Sequence, residues 1–215
     1  TLDSYIERMI PEQKAIYYIT GDDVNVLENN PQLEAFKQKN IEVLLLTDPI
    51  DEFWTQSLPN YKGKAIKHIA QADVDLGFER KEPKAEEGSL DKLVKFMADL
   101  FKSEVGKVEP TEKLTSSPAS LTVEDGQKSI HLERLMRNHQ QQTAFNSTRI
   151  FEINPYHPLI IKMSEAMEDE NKKTEVEKIA KILLDQAKIA EGEPIKDSSF
   201  YVSTVSDYIL KGFNL

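Results

Sequence analysis

The segment that most constrains this chain is 174–190, where apolar residues recur at helical spacing around a wide arc. The apolar positions are Val176, Ile179, Ala180, Ile182, Leu183, Leu184, Ala187, Ile189 and Ala190. A helix that is apolar over so wide an arc is usually covered from two sides. Both surfaces that pack on this helix can belong to the core of the helix's own domain, or one of them can belong to a partner chain.

A second amphipathic segment, residues 198–211, favours the partner. It follows after a short turn at 191–195, and two helices joined by a short loop form an antiparallel pair. Because this pair comes last in the sequence, we expect its outer face to meet a second copy in a symmetric bundle. The predicted dimer interface consists of Ile179, Leu183, Ala187, Ala190, Val202, Val205, Tyr208 and Ile209.

Composition narrows the class of protein. The 215 residues include 37 acidic and 27 basic ones, a net charge of −10 with no basic stripe, so nucleic acid and anionic membranes are poor partners. The absence of cysteine excludes disulfides and thiolate chemistry and fits a cytoplasmic location. We find neither a membrane-spanning apolar run nor a signal peptide. Since the sequence begins inside a helical pattern without methionine, we expect a fragment of a longer protein.

The order of the elements predicts an α+β fold overall. Residues 1–70 carry two apolar, β-rich runs at 15–20 and 41–47 and a weaker one at 65–69, with helical segments between them. This alternation predicts a small α/β unit with parallel strands. Residues 71–88 are charged and poor in apolar side chains, which predicts a linker.

Residues 89–215 are predicted to form a second domain, of α+β type, that ends in the helical pair. Alternating apolar residues at 119–123 predict a strand with one solvent-exposed face. A helix at 130–140 and a strand at 150–153 are expected to complete the part that precedes the final helices.

The sequence carries few of the motifs that indicate catalysis. Gly21 follows a predicted strand alone, without the glycine-rich loop that cradles a phosphate. The four histidines show no metal-binding spacing; they are His68, His131, His139 and His157. Two alternatives stay open: a small α/β nucleotide-binding enzyme with its site near Gly21 and Thr47, and a purely structural dimerisation module.

Several phrases resemble, in order, those of one family. Residues 150–160 (IFEINPYHPLI) are similar to the phrase LEINPDHPI of the heat shock protein 90 chaperones, with Tyr156 where that family usually has Asp. The phrases LTSSP at 114–118 and HLERLM at 131–136 also resemble that family. Upstream, the segments that resemble the end of its middle domain are 16–21, 41–46 and 49–52.

This resemblance implies a homodimeric, ATP-driven chaperone of the bacterial type that binds unfolded or partly folded clients. ATP and Mg²⁺ would bind in an N-terminal domain outside this sequence, and no cofactor, metal or catalytic residue is expected within it. Residues 1–70 would be the end of the middle domain, and 89–215 the C-terminal dimerisation domain. The sequence does not end in the MEEVD tail that recruits tetratricopeptide co-chaperones, so we expect none of those partners.

The resemblance places client contacts at Glu52 and Phe53. Phe53 and Trp54 are neighbours on a predicted helix and point about 100° apart, so only one of them can lie fully against a sheet. An exposed apolar side chain there would suit a chaperone. A second candidate client surface lies on the helix that carries Leu132, Leu135 and Met136, because methionine adapts to varied partners. Ordinary core packing is the alternative for each set.

Overall fold

The computed structural model describes residues 1–11, 13–70, 83–124, 126–138 and 147–213. Two sheets with separate apolar cores divide these residues into a first unit, 1–70, and a second unit, 83–213. Most of the predicted linker, residues 71–82, lies outside the described residues.

The first unit is built around a four-stranded sheet in the order β2-β1-β4-β3, in which β1 is parallel to β2 and β4, while β3 is antiparallel to β4. A 3-10 turn at Pro31–Leu33 precedes its third helix. The elements are α1 (Leu2–Arg8), β1 (Ala15–Thr20), α2 (Val24–Glu28), α3 (Glu34–Gln38), β2 (Val43–Leu46), α4 (Asp51–Ser57), β3 (Asn60–Tyr61) and β4 (Lys64–His68).

The central strand β1 is buried at all six positions because apolar side chains cover both faces of the sheet. Strand β2, in the apolar run at 41–47, is only half-buried, because β1 is its one neighbour in the sheet. At the end of β1 the carboxylate of Asp23 accepts hydrogen bonds from the amides of Asn25 and Val26, which begins α2.

The second unit contains a three-stranded sheet in the order β5-β7-β6, with β5 parallel and β6 antiparallel to β7. A 3-10 turn at Glu170–Lys172 precedes its long helix. Its elements are α5 (Glu87–Phe101), β5 (Lys107–Pro110), β6 (Ala119–Val123), α6 (Ile130–Asn138), β7 (Arg149–Ile153), α7 (Pro158–Ala166), α8 (Lys173–Ala190) and α9 (Ser198–Phe213).

Strand β6 corrects the sequence prediction, because all five of its residues are buried and neither face is open to solvent. Helix α8 contacts it from the second unit, and the turn at Pro31–Leu33 contacts it from the first. In that turn the side-chain amide of Gln32 donates to the carbonyl of Leu121 at 3.0 Å. The first unit therefore supplies a cover that the local pattern of 119–123 could not reveal.

The α+β fold class and the closing helical pair are as predicted. Helix α8 lies in the core of the second unit, to which it contributes Val176, Ala180, Leu183, Leu184 and Ala187; its Ile182 is buried as well. Helix α9 is different: of its residues, all of which the structure describes, Thr204 is the one that is buried. Helix α9 thus has little cover from the described residues of its own chain.

Candidate functional site

Helix α9 lies antiparallel to α8 and presents an exposed apolar face. The hydroxyl of Tyr208 donates to Glu175 at 2.9 Å, and the ammonium of Lys181 lies 5.7 Å from the ring centroid of Phe200. Opposite these contacts, large apolar side chains are more than half exposed. We call them the α9 surface: Val202 (61%), Ile209 (54%), Leu210 (59%) and Phe213 (69%). Soluble proteins seldom leave such a cluster open unless it binds something.

The structure changes the predicted dimer interface. Leu183 and Ala187 are buried in the core of their own chain, so their burial needs no partner, and this is a correction. Ile179 and Ala190 are half-buried, and Ile179 packs against the same core. On α9, Val202 and Ile209 face solvent, while Val205 and Tyr208 are half-buried.

The sequence prediction missed two members of the α9 surface. Phe213 lies beyond the predicted end at 211, because the helix continues to residue 213. Leu210 stands one position after Ile209, outside the narrow stripe at helical spacing that the prediction followed. A wider apolar arc would have included it.

Phe53 is exposed to solvent, whereas Trp54 packs against the core. Phe53 is 56% exposed, and Ile50, one turn earlier, is 60% exposed; we call these two residues the α4 surface. Trp54 is half-buried against the first unit's core, and its indole N–H donates to Asp51 at 2.6 Å. The spacing predicted that only one of the two aromatic residues could lie against the sheet.

Glu52, by contrast, is buried, with 3% of its surface exposed. Its Oε1 accepts a hydrogen bond from the hydroxyl of Ser129 at 2.8 Å and lies 2.9 Å from Nδ1 of His131. Burial alone raises the pKa of this carboxyl, but hydrogen bonds from His131, Thr20 and Ser129 lower it on balance. In this conformation Glu52 therefore joins the two units and does not face solvent.

The α6 candidates are only partly accessible. Leu132 is 3% exposed and belongs to the interior, which removes it from the predicted client surface. Leu135 and Met136 are half-buried, and the ammonium of Lys128 lies 3.7 Å from the sulfur of Met136. Residues 139–146, which follow this helix, lie outside the described residues.

A second contact between the units is made by the carboxylate of Glu34. The backbone amides of Thr115, Ser116 and Ser117 donate to it at 2.6, 2.8 and 3.0 Å, and the hydroxyl of Ser116 adds a bond of 2.8 Å. Burial raises the pKa of Glu34, yet hydrogen bonds from the hydroxyl and amide groups of Ser117 and Ser116 outweigh it and lower the pKa on balance. The LTSSP segment, residues 114–118, thus binds a carboxylate of the first unit.

The turn between α8 and α9 also contacts the first unit. Oε1 of Glu191 accepts from the side-chain amides of Asn30 and Gln32 at 3.0 and 2.9 Å. Burial raises the pKa of Glu191 to about 7. The backbone carbonyl of the same residue accepts from Arg134 at 2.6 Å. These polar contacts were beyond sequence prediction because their partners lie far apart in the chain.

The end of β1, where the enzyme alternative needs its site, is occupied. A Cβ on Gly21 would lie 2.7 Å from Cδ2 of Leu27, so close packing explains this glycine. Asp22 is paired with Arg134 at 2.5 Å. Among the described residues, no three His, Cys, Asp or Glu side chains are placed to hold a metal ion. Nor does any described helix combine the length and apolar character needed to cross a membrane.

Comparison with known proteins gives a consistent picture. The family model described as Hsp90 protein matches residues 1–215. A chaperone protein HtpG of Paramagnetospirillum magneticum (strain ATCC 700264 / AMB-1) is 39% identical over 221 residues, covering 99% of this chain and 35% of the relative. HtpG of Ehrlichia ruminantium (strain Gardel) is 36% identical, covering 97% and 34%. HtpG of Coxiella burnetii (strain RSA 493 / Nine Mile phase I) is 37% identical, covering 98% and 33%. The chain spans about a third of the length of these curated relatives.

Proposed function

Because the chain belongs to the heat shock protein 90 family, we propose that it is the dimerising and client-binding end of an HtpG-like molecular chaperone. The whole protein would be a cytoplasmic, ATP-driven homodimer. ATP and Mg²⁺ would bind outside these 215 residues, so this part contributes surfaces and no catalysis of its own.

The observation that carries the dimer proposal is the α9 surface. Burying a large aliphatic or aromatic side chain contributes roughly 1.5–3 kcal/mol, and a twofold axis would bury each of the four residues twice. Two α8–α9 pairs that meet through this surface form a four-helix bundle. Exposed Lys211 would lie at its rim, where charge stays hydrated.

The dimer proposal is tested by placing a charge within the α9 surface. Ile209→Asp would bury a carboxylate without a partner on both sides of the axis, which costs several kcal/mol. We expect light scattering to report one chain for this variant and two for the unaltered protein. Gln38→Asp, at an exposed polar position on α3 of the first unit, is the matched control and should remain a dimer. A dimeric Ile209→Asp variant would contradict the proposed interface.

The α4 surface supports the proposal of client binding, because the apolar side chains of Ile50 and Phe53 are exposed. Phe53→Ala should leave the free energy of unfolding within about 0.5 kcal/mol, as is usual for surface positions. The same variant should suppress the aggregation of an unfolded protein less effectively. Trp54→Ala should cost more stability, up to roughly 3 kcal/mol, because that ring packs against the core of the first unit.

The purely structural alternative predicts the opposite result in the aggregation assay: neither the unaltered chain nor Phe53→Ala would hold an unfolded protein. The enzyme alternative predicts nucleotide binding. We expect calorimetric titration of the chain with ATP and Mg²⁺ to show no heat of binding. Saturable binding that is lost on changing Gly21 or Thr47 would support the enzyme instead.

A further inference from the structure

His131 lies between two carboxylates across the contact of the two units. Its Nδ1 is 2.9 Å from Oε1 of Glu52, and its Nε2 is 3.0 Å from Oδ1 of Asp22. His131 belongs to α6 of the second unit, while both carboxylates belong to the first. The imidazole is 7% and the Glu52 side chain 3% exposed, so water cannot readily replace that contact, whereas the Asp22 side chain is 65% exposed.

The number of hydrogen bonds that His131 can donate at this contact depends on whether its ring is charged. A neutral imidazole donates from one nitrogen and accepts at the other, whereas an ionised carboxylate only accepts. Two hydrogen bonds to two carboxylates therefore require both ring nitrogens to donate, which only the imidazolium can do. Loss of one proton would point a lone pair of His131 at a carboxylate oxygen of Glu52 or Asp22.

We propose that His131 is a positioning residue that docks the second unit onto the first as an imidazolium, and that loss of its proton loosens the two units. This inference goes beyond the proposed function, because it needs neither a dimer nor a client. It assigns Glu52 to the contact between units and leaves Phe53 to the surface.

The other titratable groups around His131 do not take over its role. His68, on β4, accepts at Nδ1 from the amide of Ala70 at 3.0 Å, and burial lowers its pKa to about 4, so it is neutral near pH 7. Arg134, on α6, donates to the other oxygen of Asp22 at 2.5 Å, a hydrogen bond that does not use the proton of the imidazole. A permanent contact thus remains when His131 loses its proton.

The pKa directions agree with this geometry. Burial lowers the pKa of His131, but hydrogen bonds to Glu52 and Asp22 raise it on balance above its ordinary value of 6.5. A cation whose pKa is raised by docking stabilises the contact fully below 6.5, and the contribution is lost as pH rises through the raised value. The pKa values of Glu52 and Asp22 are both lowered, so their carboxylates stay ionised over this range.

The first test is an NMR titration of the imidazole in the full, unaltered chain. We expect the carbon between the ring nitrogens of His131 to titrate with a pKa above 6.5, the ordinary value for histidine. The amide signals of Ser129 and Asp22 should shift over the same pH range. A pKa of His131 at or below 6.5 would overturn the proposal, whatever happens to any variant.

The second test measures the distance between the units. The chain has no cysteine, so Gln38→Cys and Gln186→Cys, at exposed sites on α3 and α8, accept one spin label in each unit. Dilution with unlabelled chain removes distances between protomers. We expect the distance distribution to be narrower at about pH 6 than at about pH 8.5, on either side of the titration.

Variants identify the residue responsible. His131→Gln carries no charge and should give the broader distribution at both pH values. His157→Asn keeps an acceptor at the start of α7 and should retain the pH response of the unaltered chain. A pH response that survives in His131→Gln would assign the effect to another group, such as Glu191, and overturn the inference. An unaltered chain without any pH response would do the same.

Discussion

The phenolic hydroxyl of Tyr208 donates to the carboxylate of Glu175 at 2.9 Å, and this bond fixes α9 along α8. The contact lies on the side of α9 that faces its own chain, and it orients the helix so that Val202 and Ile209 point outward. The exposed face therefore follows from a defined packing of the closing helices.

Replacing Tyr208 by Phe should remove this hydrogen bond and keep the ring. A single hydrogen bond contributes about 0.5–1.5 kcal/mol, so we expect a loss of free energy of unfolding in that range. Burial and the hydrogen bond to Glu175 raise the pKa of Tyr208 to about 12. Because the pKa of Tyr208 is raised in the folded chain, its protonated hydroxyl contributes fully to stability below the ordinary pKa of 10. That contribution is lost as pH rises through about 12. Chemical denaturation at neutral and high pH measures both effects, and a Tyr208→Phe variant as stable as the parent would contradict them.

Leu183 and Val202 should respond differently to truncation. Leu183 is buried in the second unit, so Leu183→Ala should cost about 2–5 kcal/mol of stability through lost burial and a cavity. Val202→Ala removes an exposed side chain and should change the stability of the single chain by less than about 0.5 kcal/mol. It should instead weaken dimerisation. Thermal unfolding and dilution experiments on both variants separate core from interface.

Glu34 should control the contact between the units at low pH. Glu34→Gln keeps the shape of the side chain but loses the charge that three backbone amides surround. Hydrogen bonds to a charged group contribute about 1.5–3 kcal/mol to the free energy of unfolding. Because docking lowers the pKa of Glu34, its contribution is present above the ordinary 4.5 and lost as pH falls through the lowered value. Hydrogen exchange at the amides of Thr115, Ser116 and Ser117 should accelerate in the variant. Unchanged protection of these amides would contradict this role.

Periodicity predicted the elements that contain a strong apolar pattern. The buried strand at Ala15–Thr20 and the long helix at Lys173–Ala190 both follow from spacing, and Asp23 caps its helix as its residue type suggests. Strand Lys107–Pro110 was not predicted, because Val108 is its one apolar side chain apart from the proline. So short a run carries no strand signal until its neighbour β7 is known.

The contact between units was the least predictable part. Glu52 and His131 are 79 residues apart, and Glu34 and Thr115 are 81 apart, so no local pattern links them. Sequence alone also could not divide the apolar arc of α8 between its own core and a partner. Leu183 and Ala187 lie in the core because β6, α5 and α7 cover α8. Only the tertiary arrangement shows this cover.

The central claim, that the α9 surface joins two copies of this chain, is tested most directly by the mass of the unaltered protein in solution. One chain has a mass of 24.6 kDa. Sedimentation equilibrium at micromolar concentration should give twice that value, with dissociation only on further dilution. A mass of 24.6 kDa that persists at and above this concentration would contradict the account.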